Sequence, residues 1–214
     1  MALEFIQPGE REFEPFEVDY ADVSLDDAHR LAAVVDAAKD ERPIQAHIAS
    51  TPNLLTAHLG GGHGRWVRPQ ARLGSQYVAD FLIAEKDSMG MHWTLVELES
   101  PKAKMCLKSG GLAQKARQAM DQIDDWRDWL GRNHTYAASP VKEQGLGLRE
   151  IDPRPPGLVL VGRRDDKLDD CKRARRAAKA DRRIEVHSYD WLVERVEVAA
   201  RSFADLHRRA PRSR

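Results

Sequence analysis

The chain has 214 residues, 42% of them hydrophobic and 32% charged, which is enough to bury a full core and is the composition of a folded rather than a disordered protein. No apolar run approaches the roughly eighteen residues of a membrane span, and the acidic start "MALEFIQPGEREFEPFE" is unlike a signal peptide, so no membrane association and a cytoplasmic location are expected. The net charge of zero hides a polarity: nine acidic against two basic residues from Met1 to Arg30, and sixteen basic against ten acidic from Arg163 to Arg214.

Taken in chain order, "SLDDAHRLAAVVDAAKDE" predicts a helix capped by Ser24, with Asp26 and Asp27 in the first turn where the dipole favours them. After Pro43, "IQAHIASTPNLLTAHL" repeats its apolar residues at helical spacing but is interrupted at Pro52, which predicts two short helices. "GGGHG" at 60–64 reads as a turn rather than a phosphate loop, because no strand precedes it and no Gly-Lys-Ser/Thr follows. His63 has no partner at metal-ligand spacing and is expected to be solvated.

Residues 65–99 predict three strands, "RWVRPQARLG", "YVADFLIAEK" and "HWTLVELE", the last two joined by about six residues as an antiparallel hairpin. "SGGLAQKARQAMDQIDDWRDWLG" predicts a helix that buries Leu112, Ala116, Ala119, Ile123, Trp126 and Leu130 and stops at Gly131. Lys142 to Pro156 has the composition of a flexible flap. Beyond it, "PPGLVLVGRR", the basic helix "KLDDCKRARRAAKA" and "IEVHSYDWLVERVEVAARSFADL" follow in the strand, helix, strand order of a parallel crossover, with "HRRAPRSR" as a frayed end. Cys106 and Cys171 are too few for a disulfide framework, and each reads as a small apolar or surface residue. The organisation expected is a helical lead segment at 1–40, an α/β domain at 41–200 with a mixed central sheet flanked by helices, and a basic tail at 201–214.

Side chains alternate along a strand, so Leu95, Glu97 and Glu99 share one face while Val96 and Leu98 share the other. If the hairpin forms, Asp80, set in the apolar "VADFLI", converges on Glu97 at one end of the sheet. On spacing alone the plainer reading is the wet face of an amphipathic strand. Brought together and partly buried, however, such carboxylates repel and are relieved by protonation or by a cation. Oxygen ligands with open positions suit Mg2+ or Mn2+, and the chemistry that follows is metal-assisted phosphodiester hydrolysis.

The segment "GSQYVADFLIAEKDSMGMHWTLVELESPKAKMCLKSGGLAQKARQAMDQIDDWRDWL" resembles the nuclease domain of the Shedu anti-phage defence proteins, of the PD-(D/E)XK superfamily, over about Glu41 to Val196. The resemblance implies a restriction-endonuclease-like core, a divalent-metal-dependent endonuclease acting on double-stranded phage DNA, and a homo-oligomer. It assigns Asp80 and Glu97 as metal ligands, places Gln122 at the glutamine of a helical Gln-XXX-Tyr motif, and sets Trp126 in the tyrosine's place, where core packing is an equal explanation. Position 99 departs from the pattern, with Glu99 where a lysine stands. Lys102 or Lys104 swinging in, Glu99 acting as ligand or general base, and a catalytically impaired module that only binds or senses nucleic acid are the alternatives that leaves. Glu41, on the helix before the sheet with Gln45, matches a frequent additional acid, although an ordinary helix N-terminal carboxylate explains it as well. Lys102, Lys104, Lys108, Arg173, Arg175, Arg176 and Lys179 are the expected phosphate contacts, with little sequence preference. A third reading makes the acidic head and basic tail an assembly contact between subunits.

Overall fold

Local chemistry sets the first elements. Helix α1 (Leu25–Ala37) starts with a reciprocal cap: Ser24 Oγ accepts the Asp27 N–H while the Asp27 carboxylate accepts the Ser24 N–H. Helices α2 (Arg42–Ser50) and α3 (Asn53–Thr56) are separated at Pro52, as the proline requires. The computed structural model describes residues 13–19, 22–60, 62–164 and 171–209.

A five-stranded mixed sheet follows, in the order β1 (Arg65–Leu73), β2 (Tyr77–Asp87), β3 (Gly90–Leu98), β4 (Gly157–Leu160), β5 (Ile184–His187). The first three strands form an antiparallel meander, and β3, β4 and β5 are parallel. The β2–β3 turn is tighter than its sequence suggests. Asp87 pairs with Gly90 across Ser88 and Met89, and the Asp87 carboxylate accepts the Met89 N–H at 2.7 Å. Gly90 takes φ +116°, a backbone setting open to glycine, so the ladder begins two residues before the expected strand.

Helices α4 (Gln114–Arg132) and α6 (Lys172–Arg182) cover one face of the sheet, meeting Leu82, Trp93, Leu95, Val159 and Val186. Helices α1, α2, α3 and α7 (Tyr189–Arg209) cover the other, meeting Phe81, Ile83, Val96, Leu98 and Leu160. β4 is buried on both sides, which is why its sequence is apolar without a break. Gly157 at its start lets α4 approach: a Cβ there would stand 2.9 Å from Ile123.

Four expectations are corrected. Gly131 lies inside α4, and the helix ends at Asn133, whose side-chain amide donates to the Trp129 carbonyl at 2.9 Å. A short helix, α5 (His134–Ala138), follows at once. The 142–156 segment is no flap: Leu148 and Ile151 are buried, Trp93 Nε1 donates to Arg149 O at 2.7 Å, and the Met91 N–H donates to the Glu150 carboxylate at 2.8 Å. Cys106 and Cys171 form a disulfide across 65 residues, joining the loop after β3 to the residue that precedes α6. Both cysteines pack against the α4/α6 side of the core, a proximity that residue counting cannot reveal. In the chain-entropy model a loop of that length contributes about 4 kcal/mol. Helix α7 continues into the expected frayed end as far as Arg209; residues 210–214 lie outside the described residues. No helix among the described residues is long and apolar enough to cross a membrane.

Candidate metal centre and active site

The hairpin register delivers the acids to one place. Phe81 pairs with Val96, and one step further along, where Asp80 would face Glu97, the backbone ladder stops. The Leu98 N–H that would otherwise need a backbone partner donates instead to the Asp80 carboxylate at 2.8 Å. Gln45, from α2, donates to the other Asp80 oxygen at 2.6 Å. Asp80 is therefore gripped from β3 and from the helical layer, and its side chain takes the place of the next rung between β2 and β3, while β2 runs on beside β1 to Tyr77.

Glu97 is 7% exposed and lies in hydrogen-bonding contact with Asp80. Burial, then the adjacent Asp80 charge, pushes the Glu97 carboxyl up to about 9, so that it is protonated at neutral pH. Burial also raises Asp80, against the pull of the Leu98 N–H. Among the described residues no donor reaches Glu97 Oε2, although the atom is buried. An acceptor left bare beside a second carboxylate has the chemistry of a cation seat with two protein oxygens, and Mg2+ is commonly held by one or two carboxylates with water and substrate phosphate completing the shell. The residues fit such an ion in that sense. Among the described residues no three His, Cys, Asp or Glu side chains close around a point as a ready-made metal cluster.

Glu99 is adjacent but differently disposed. Its carboxylate, 12% exposed, pairs with Lys115 Nζ at 3.2 Å, from the first turn of α4. Its backbone is fixed on both sides: the N–H donates to Leu160 O at 2.8 Å, and the Tyr189 hydroxyl donates to its carbonyl at 2.8 Å. Burial, then the charges of Asp80, Glu41, Glu99 and Glu97, holds the Tyr189 phenol well above its ordinary range. Glu41 precedes α2 without capping it by its side chain, and its charge is felt at Asp80 and Glu97.

The other sequence candidates are more dispersed. Gln122 is exposed on α4 and lines a cleft of about 450 Å3 with Tyr77, Val78 and Gln118, next to the start of β2. Trp126, one turn on, is fully buried in the core. Lys102 directs its Nζ to Asp36 O at 3.5 Å, toward the end of α1, and Lys104 and Lys108 stand exposed on the loop before α4. Arg175 is committed to Val186 O at 2.7 Å and to His187 Nδ1 at 3.0 Å; Lys179 pairs with Glu185 at 2.6 Å. Arg173 and Arg176 are exposed. Gln45, Lys115 and Tyr189 had no assigned role in the sequence. Lys115 carried no signal, since sixteen residues separate it from Glu99 and only the packing of α4 brings them together.

The family model for the C-terminal part of the Shedu protein SduA matches residues 38–193, which takes in α2, the whole sheet and the acid pair. The chain belongs to the Shedu family. Membership supports a role in anti-phage defence, and the matched span includes every residue of the Asp80, Glu97, Glu99 and Lys115 constellation. No curated protein gives a significant match to this Shedu-family chain.

Proposed function

We propose that the chain is a metal-dependent DNA endonuclease of an anti-phage defence system, with a restriction-endonuclease-like PD-(D/E)XK core. The observation that carries the reading is the Asp80–Glu97 pair: two carboxyl groups in contact where the β2–β3 ladder stops, one with a buried oxygen that no described donor reaches. Asp80 and Glu97 would hold Mg2+ or Mn2+, which supplies charge neutralisation at a phosphoryl oxygen and a hydroxide nucleophile when bound. Gln45 keeps the Asp80 carboxylate turned toward Glu97. Lys115, held by Glu99, brings an ammonium to the rim where the sequence lacks a lysine on β3. A cation preorganised beside the reacting phosphate stabilises charge that develops in the transition state. Double-stranded phage DNA is the proposed substrate, bound through its backbone with little sequence preference, by a homo-oligomer.

The Glu99–Lys115 pair also favours a second reading. If that ion pair stays closed on DNA binding, the site holds nucleic acid without cutting it, as a sensing module. Supercoiled plasmid with Mg2+ or Mn2+ separates the two. Nicking by the wild type, lost in Asp80→Ala and Glu97→Ala by a hundredfold or more (~10²–10³, as for loss of one transition-state electrostatic group), supports the nuclease. Binding with no metal-dependent cleavage supports the module.

A further inference from the structure

A second charged feature lies at the same end of the parallel strands as Glu97. β3, β4 and β5 are parallel, and Leu98, Leu160 and His187 are in register at their C-terminal ends, with Glu97 one residue before Leu98. Two strand spacings of about 4.8 Å separate β3 from β5. Tyr189, two residues beyond β5, reaches back to Glu99, which ties that corner directly to the acid site.

Along the outer side of β5 runs a cleft of about 260 Å3 between the strand and α6. Lys172, Arg175, Arg176 and Lys179 line it. Their spacing of i, i+3, i+4, i+7 is one helical stripe, and at 1.5 Å rise per residue it is about 10 Å long. Among the described residues that line it, Glu185 is the one carboxylate set against these cations, and it pairs with Lys179 at 2.6 Å. Arg175 is already set in place: its Nε takes the Val186 carbonyl and its Nη2 donates to His187 Nδ1, so the imidazole carries its proton on Nε2, facing Glu185 at 2.9 Å. The guanidinium thus loses little freedom on meeting an anion, while Lys172 and Arg176 stand exposed beside it.

We infer that this α6–β5 cleft is a seat for the sugar-phosphate backbone of a nucleic acid strand, gripping the substrate beside the acid pair. The inference rests on the nuclease reading for what is gripped, and it adds Lys172 and His187 to the seat while leaving Arg173 outside it. An extended polyanion fits better than a free nucleotide. The stripe spans about three phosphates at 3.4 Å of axis per nucleotide, and among the described lining residues Val186 is the one apolar side chain to receive a base. The His187 ring is no platform for one on the side that Trp191 covers, the two rings being stacked at 3.9 Å.

The test is equilibrium binding of a fluorescent duplex in chelator at several salt concentrations, where no cleavage is needed. Lys172→Ala and Arg176→Ala should each weaken binding and lower the slope of log K against log salt by about one, whereas Arg173→Ala, the same charge change on the same helix, should leave the slope unchanged. Equal loss in all three variants overturns the seat in favour of general attraction, and no loss in any overturns it outright. Two further outcomes also overturn it: inorganic phosphate or a nucleoside triphosphate binding at the stripe with duplex binding unaffected, or sedimentation showing that the stripe variants dissociate an oligomer while still binding DNA. Because cleavage plays no part, a protein that fails to cut plasmid but passes here sinks only the nuclease reading. One that cuts through Asp80 but ignores the stripe substitutions sinks only this inference.

Discussion

Two clusters of the same residue types stand at different places in the fold and obey opposite rules. Between α4 and the end of α6, acids and guanidinium groups are matched. Arg127, 2% exposed, donates to Pro155 O, Arg182 O, Arg183 O and the Asp124 carboxylate, and Arg182 meets Asp124 and Asp121. Burial opposes the charge on Asp124, but Arg182 and Arg127 outweigh it and hold the carboxyl below its usual range. At the β2–β3 end, acid meets acid, and the Glu97 carboxyl is driven the other way. A buried charge that is fully paired belongs to the architecture. One left facing its own kind is tolerated where a ligand brings the missing charge.

Removing a matched partner should therefore cost far more stability than removing an unmatched one. Arg127→Met takes the donor from the Pro155 and Arg182 carbonyls and one of two guanidinium partners from Asp124, which keeps Arg182, and the expected loss is about 2–4 kcal/mol, read as a lowered denaturation midpoint in urea. A loss under about 1 kcal/mol would mean that water replaces the guanidinium and the cluster is not structural.

The next effect is a pH dependence set by a third arrangement, a half-buried imidazole with one ring nitrogen unmatched among the described residues. Burial, foremost, takes His58 down to about 4, and its Nδ1 is that unmatched nitrogen. The unfolded chain binds that proton near pH 6.5 and the folded chain near 4, so stability contributed by neutral His58 is present above 6.5 and is lost as pH falls toward 4, by up to about 3 kcal/mol. Melting curves of the wild type should fall across this window, and His58→Asn should flatten the fall. Parallel curves for the two proteins would assign the acid sensitivity elsewhere.

The smallest effect has the opposite sign. Glu97→Gln keeps the shape, removes an acid that is costly to bury, and should raise the metal-free melting temperature by a few degrees, about 1 kcal/mol, while abolishing cleavage. A destabilised variant would place Glu97 with the matched cluster instead.

Much of this contrast was legible in the sequence, for identifiable reasons. Alternation along "WTLVELE" fixed Glu97 and Glu99 on the face of Leu95, and that face is the one α4 covers. Asp80 converges on Glu97 because the hairpin register is set by a short turn, a local property. What stayed hidden is what depends on packing between distant segments. Lys115 reaches Glu99 only once α4 lies across the sheet, and Gln45 reaches Asp80 from a helix 35 residues earlier. Cys106 meets Cys171 through the β4–α6 crossover. The 142–156 segment reads as mobile by its glycines and prolines, yet is pinned by Trp93 and Met91 from β3. Composition reports the chain's freedom and not the contacts that remove it.

Mn2+ binding followed by electron paramagnetic resonance measures most directly whether the Asp80–Glu97 pair is a cation seat. The wild type should bind Mn2+ at one site, with release of a proton as Glu97 ionises, and both Asp80→Asn and Glu97→Gln should lose that site while keeping their fold. A wild type that binds no Mn2+, or one whose bound Mn2+ is indifferent to both substitutions, would contradict it.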